Sequence, residues 1–212
     1  MTADLYCSAV RPRRQCHLCD LSGICAFALA QSPYSGQSYE RMTKAEEGNA
    51  GRSMNNVVGY LTSCAQQRPQ ACAVVEGEVQ LTYAQLYEQS RRAGTALAQR
   101  NMARKGVVLV MEKSADMLAL MMGALWAGAF YVPVDPQAPV RRLAQIVARL
   151  QQCCVVAPDD AQAQELSREL GVPVLTMQQL LSQETDDQLL AGAQAASLET
   201  DPAYVLFIRG KR

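Results

Sequence analysis

Side chains able to do chemistry gather at three places in this 212-residue chain. Cys16, Cys19 and Cys25 follow a C-x2-C-x5-C spacing, with His17, the single histidine, between the first two. Thiolates and an imidazole so spaced could ligate zinc or an iron–sulfur cluster, with Cys7 a candidate fourth ligand. The alternative is a set of incidental cysteines in a loose extension, since Met42 and Met54 both precede the patterned part of the chain and a start at either would delete them. The second place is the adjacent pair Cys153-Cys154 at the head of an apolar run, which reads as core filler rather than a vicinal disulfide. The third is the ending Arg209-Gly210-Lys211-Arg212, directly after the apolar Ala203 to Ile208. Its cations could meet a phosphate as point charges, but a solvated charged terminus is the simpler reading.

Bulk properties narrow the setting of these groups. Lys plus Arg and Asp plus Glu number 20 each, so no long-range field would steer the protein to nucleic acid or an acidic membrane. With 49% hydrophobic residues the chain can build a substantial core. Eight cysteines in such a chain differ from the dense disulfide framework of a short secreted domain, and a cytoplasmic location is expected. The run Ile24 to Ala30 behind Arg11, Arg13 and Arg14 has the outline of a signal peptide, but His17, Asp20 and Gly23 interrupt it. No stretch approaches the roughly 20 apolar residues of a spanning helix.

The elements that would position the rest begin near residue 56. Residues 1–53 show no sustained period and read as a disordered extension. From Asn56, an expected N-cap, Val57, Val58, Leu61, Cys64 and Ala65 share one helical face that Pro69 terminates. Two short strands around Ala73-Val74-Val75 and Val79-Gln80-Leu81 flank a Gly77 turn. Thr82 and Gln85 then form a capping box opening a helix at Tyr83, in which Gly94 marks a close approach. Val107 to Met111 is an unbroken β-branched run, as in a parallel strand covered on both faces. A helix capped by Ser114 and running to Trp126 follows, then a proline-punctuated loop, a helix over 140–150, a strand at Cys154-Val155-Val156, a helix over 160–170 and a strand over 172–175. This alternation predicts a doubly wound α/β sheet. Residues 182–200 read as a polar linker, and 201–212 as a final strand with a charged end.

One stretch is more specific than its composition. Gly123-Ala124-Leu125-Trp126-Ala127-Gly128-Ala129-Phe130-Tyr131-Val132-Pro133-Val134-Asp135-Pro136-Gln137-Ala138-Pro139-Val140-Arg141-Arg142-Leu143 resembles the second core motif of amino-acid adenylation domains, in the adenylate-forming synthetase superfamily. Trp126 stands where that family usually has Lys, and Phe130 where a small residue is usual. Leu81-Thr82-Tyr83-Ala84-Gln85-Leu86 is similar to the first core motif, and Met111-Glu112-Lys113-Ser114-Ala115-Asp116-Met117 to the segment between the two. The resemblance spans residues 56–208 and implies the first part of the large N-terminal subdomain of an adenylate-forming enzyme, with a doubly wound sheet that is incomplete. Complete relatives would use ATP and Mg2+ to turn an amino acid into an aminoacyl-adenylate and load it on a carrier protein for nonribosomal peptide synthesis.

The same resemblance makes Ala203-Tyr204-Val205-Leu206-Phe207 the strand that delivers the family's Ser/Thr/Gly-rich phosphate loop, whose residues do not follow in this sequence. A triphosphate cradle needs consecutive backbone N–H groups, small residues and hydroxyls. No catalytic and no cofactor-binding residue is therefore expected here, and no cofactor for the chain by itself. Thr82, Tyr83, Gly128, Tyr131 and Asp135 match family motifs but read as folding and packing residues. A noncatalytic partner of a split adenylating enzyme, whose remainder or carrier protein it would meet, is the second reading, beside a decayed remnant. A metal or redox module at Cys16, Cys19 and Cys25 is the third; that spacing is also similar to the cluster-binding stretch of oxygen-sensing regulators of the cyclic-AMP-receptor type.

Overall fold

The computed structural model describes residues 57–198 and 200–207. The extension with Cys7, Cys16, Cys19 and Cys25, the Asn56 cap and the residues after Phe207 all lie outside them.

Helix α1 (Val57–Gln67) leads into a hairpin of β1 (Cys72–Glu76) and β2 (Val79–Thr82), followed by α2 (Tyr83–Gln99). The capping box forms as expected: the Gln85 N–H donates to the Thr82 hydroxyl at 3.2 Å and the Thr82 N–H donates to the Gln85 side chain at 2.8 Å. Then come β3 (Gly106–Val110), α3 (Ala115–Trp126), β4 (Phe130–Val134), α4 (Val140–Leu150), β5 (Cys153–Ala157), α5 (Asp160–Leu170), β6 (Val174–Thr176), α6 (Met177–Leu181) and α7 (Asp187–Ala196). The four longer-range strands form one parallel sheet in the order β4-β3-β5-β6.

Period-2 alternation assigns the two faces of the sheet. Val107, Leu109, Tyr131, Cys154, Val156 and Leu175 pack with α2, α3 and α6 on one face. Val108, Val110, Val132, Val134, Val155 and Val174 pack with α4 and α5 on the other. Neighbouring residues of a strand point to opposite faces, so Cys153 and Cys154 enter different clusters and both are free thiols. Burial pushes the Cys154 thiol up to about 12.

Three segments differ from the sequence reading, the last of them 201–207, expected as a strand but making one isolated bridge. The proline-punctuated loop after α3 begins with a true strand, β4, in register with β3 from Gly106–Phe130 to Val110–Val134. Pro133 hid it, because an internal proline argues against a central strand. The tract 182–200 is not a plain linker but holds α7, capped by Asp186, whose carboxylate accepts from the Leu189 N–H at 2.9 Å. Leu190 is buried, and the Gln194 amide donates to the Leu125 and Trp126 carbonyls at 2.7 and 3.0 Å, satisfying the end of α3. The polar composition of that tract belongs to side chains that meet backbone and not only water.

Candidate functional site at the carboxyl edge of the sheet

In an open doubly wound sheet, ligands meet the carboxyl ends of the strands near the point where the helices change face. Here that point lies between β3 and β5, since α3 leaves β3 toward one face while α5 leaves β5 toward the other. Residues 111–114, 135–139 and 158–159 lie at this edge, and the segment 201–207, running along the outer side of β4, reaches it at Phe207.

Local chemistry fixes each one. Ser114 caps α3 by accepting from the Met117 N–H at 3.1 Å, and Glu76 at the end of β1 accepts from the Ala115 N–H at 2.7 Å. A carboxylate on a helix N-terminus meets both unpaired donors and the positive end of the dipole. Asp116 beside it has its pKa raised, first by burial and then by the Glu76 carboxylate. At the far end of α3, Gly128 (φ +66°) reverses the chain: its N–H donates to the Leu125 carbonyl at 3.1 Å and the Ala129 N–H to the Ala124 carbonyl at 2.9 Å, a Schellman closure. A Cβ at Gly128 would also stand 2.9 Å from the Ser197 hydroxyl. Asp135 then turns the chain out of β4, its carboxylate accepting from the Gln137 N–H at 2.8 Å and its carbonyl from the Ala138 N–H at 2.9 Å.

The segment 201–207 lies along the outer side of β4. Arg104 holds its start, donating from Nε to the Asp201 carboxylate and from Nη2 to the Ala196 carbonyl, each at 3.2 Å. The Asp201 carboxyl lies below the usual range, chiefly because the Leu198 N–H donates to it at 2.9 Å and then because of Arg104. Tyr131 donates its N–H to the Ala203 carbonyl at 3.1 Å and accepts the Val205 N–H at 3.0 Å, while the Tyr131 and Tyr204 rings stack at 5.7 Å. Past this single parallel bridge there is no further ladder among the described residues. The end is held instead by Arg142 of α4, whose Nη2 donates to the Phe207 carbonyl at 2.6 Å.

Of the motif residues, the structure brings Asp135 and Arg142 to this edge, sets Tyr131 in the amino half of β4 where it bridges to Tyr204, and leaves Thr82, Tyr83 and Gly128 as caps and turns elsewhere. Arg104, Gln194 and Glu76 were not legible as site supports, because their partners stand 97, 69 and 39 residues away. Arg142 was visible as a motif match, although nothing local revealed its target.

A cleft of about 190 Å³ opens beside the exit of β4, floored by Val110, Val134 and Leu143 and ringed by Asp135, Glu165 and Glu169. A wider depression lies across the ends of β5 and β6, between Pro158, Asp159, Thr176 and Met177. Carboxylates around the cleft repel a triphosphate, and the Arg142 guanidinium is engaged with a main-chain carbonyl. The described residues thus do not fit a nucleotide by themselves, and no step of nucleotide chemistry follows from them. No group of three His, Cys, Asp or Glu side chains suited to a metal occurs among them, and no described helix is long and apolar enough to cross a membrane.

This fold, with three motif segments gathered at one sheet edge, defines the opening part of an adenylate-forming domain. The family of AMP-binding enzymes matches residues 61–207, and the chain belongs to it. It is similar to a dimodular nonribosomal peptide synthase of Bacillus subtilis (strain 168), 28% identical over 67% of this chain and 6% of that protein. It is likewise similar to a D-alanine--D-alanyl carrier protein ligase of Staphylococcus haemolyticus (strain JCSC1435), 27% identical over 74% of this chain and 30% of that one. The solved complex of VinN with L-aspartate superposes at a TM-score of 0.60 and 22% identity, covering 73% of this chain and 44% of that one, a likeness of fold. The chain therefore spans less than half the length of each.

Proposed function

We propose that residues 57–207 are the scaffold of an amino-acid-activating ligase of the nonribosomal peptide synthetase type, and that they hold its phosphate-loop strand without supplying the loop. In the complete reaction a carboxylate oxygen attacks the α-phosphorus of ATP, pyrophosphate leaves, and a carrier-protein phosphopantetheine thiol then takes the acyl group as AMP departs. ATP and Mg2+ would be handled by polypeptide outside these 212 residues, together with the groups that read the amino acid. The observation that carries this reading is the seat of residues 203–207, parallel to the outer side of β4 and held at the Phe207 end by the motif arginine Arg142.

The reading assigns no catalytic side chain to the chain itself. A purified polypeptide of these 212 residues is expected to show no amino-acid-dependent ATP–pyrophosphate exchange. Exchange well above a no-enzyme control overturns it. Addition of polypeptide carrying the phosphate loop and the later motifs of an adenylating enzyme is expected to restore exchange.

A further inference from the structure

The terminal strand is held in an unusual way. Both backbone groups of Tyr131 point outward to residues 203 and 205, so the next outward-facing position of β4 is 133. A parallel ladder would continue with the N–H of residue 133 donating to the carbonyl of residue 205. Pro133 has no N–H, which accounts for a bridge of one residue where a strand could have formed. Two residues further along, the Arg142 side chain supplies a donor from another element, at 2.6 Å from the Phe207 carbonyl. Arg142 makes no ion pair with a carboxylate among the described residues.

We propose that Pro133 and Arg142 act as a matched pair: the proline ends the backbone ladder, and the arginine tethers the strand end at Phe207, making Arg142 the positioning residue for the point from which complete relatives would continue into the phosphate loop. A side-chain tether fixes the departure point of that loop while leaving residues 205–207 free of a rigid ladder. Opening them breaks no ladder and costs the apolar contacts of Val205 and Phe207 with the α4 face. The inference rests on the reading above for the identity of the loop, but the tether itself involves no nucleotide.

Hydrogen exchange on the 212-residue chain tests it. Arg142→Met is expected to speed exchange of the Val205 amide at least about tenfold, the factor one charge-assisted hydrogen bond supports, with exchange in β3 and β5 unchanged. Arg142→Lys keeps one charged donor and is expected to recover most of the protection. Pro133→Ala in the Arg142→Met background is expected to recover it by another route, because residue 133 regains a ladder donor. Unchanged exchange over 203–207 in Arg142→Met overturns the proposal, as does an equal acceleration across the whole sheet or the absence of both rescues. Should Arg142→Met not fold, the unmodified chain still decides: the Arg142 guanidinium protons must include one slow to exchange by NMR, and uniformly fast ones overturn the tether. A failed tether leaves the adenylation reading standing, whereas pyrophosphate exchange by these 212 residues would remove that reading and leave the tether.

Discussion

The helix pair on one face of the sheet and the segment on the outer side of β4 are held by opposite means. On one side, α2 and α3 cross so closely that a Cβ on Gly94 would stand 2.5 Å from the Trp126 Cβ, and one on Gly123 would stand 2.6 Å from the Ala93 Cβ. Ala93, Ala96, Leu97, Leu120 and Ala124 are buried there, and the Trp126 indole donates to the Ser90 hydroxyl at 3.2 Å. On the other side the segment 201–207 is held by one backbone bridge, the Tyr131–Tyr204 stack, the apolar contacts of Val205 and Phe207 and two arginines, with Leu206 53% exposed. Dense packing is insensitive to pH and salt but intolerant of added volume. A tethered strap has the reverse properties. The motif segment 123–143 encodes both, since Gly123 lies in the dense contact while Pro133 and Arg142 govern the strap.

The contrast predicts a graded set of responses. Leu120→Ala should have the largest effect, about 2–5 kcal/mol of unfolding free energy, because it empties a fully buried site under α3. Denaturant melts check this, and selective opening of the strap rather than global loss would break the comparison. Gly123→Ala should cost about 1–3 kcal/mol, because its methyl must displace the Ala93 Cβ or the Ser90 carbonyl. A neutral result in the same melts would mean that the helices separate easily.

The strap should respond least in stability and most in pH. The folded-state pKa of Asp201 lies below its ordinary 3.8, so its ionised form favours the folded strap. That contribution is fully present above 3.8 and is lost as pH falls through the depressed value. Asp201→Asn should therefore speed exchange of the Leu198 amide at pH 7 and make it less responsive to acid, with the melting temperature nearly unchanged. A large drop in melting temperature would show that the strap is part of the core.

Much of the scaffold was legible from local pattern. The Thr82–Gln85 box, the Ser114 cap, the β-branched β3 and the helix over 160–170 formed where periodicity and capping residues placed them. Strand β4 escaped because Pro133 is a poor strand residue in isolation and becomes acceptable once its missing donor faces the outer edge. Helix α7 escaped because Gln194 and Leu190 earn their places through contacts with α2 and α3 that lie far away in sequence. The last strand was expected as a full element, yet it contributes one bridge, and its apolar residues Val205 and Phe207 pack on the α4 face of the sheet.

By itself, the sequence determined which helices and strands could exist and which family they resemble, because caps, β-branched runs and motif residues act through neighbours a few positions away. Only the tertiary structure decided that Arg142 reaches the Phe207 carbonyl, that Arg104 reaches Asp201, and that Pro133 faces the side where its missing N–H shortens a ladder. Those three facts depend on strand order and helix placement, which bring residues 65 to 97 positions apart within hydrogen-bonding distance.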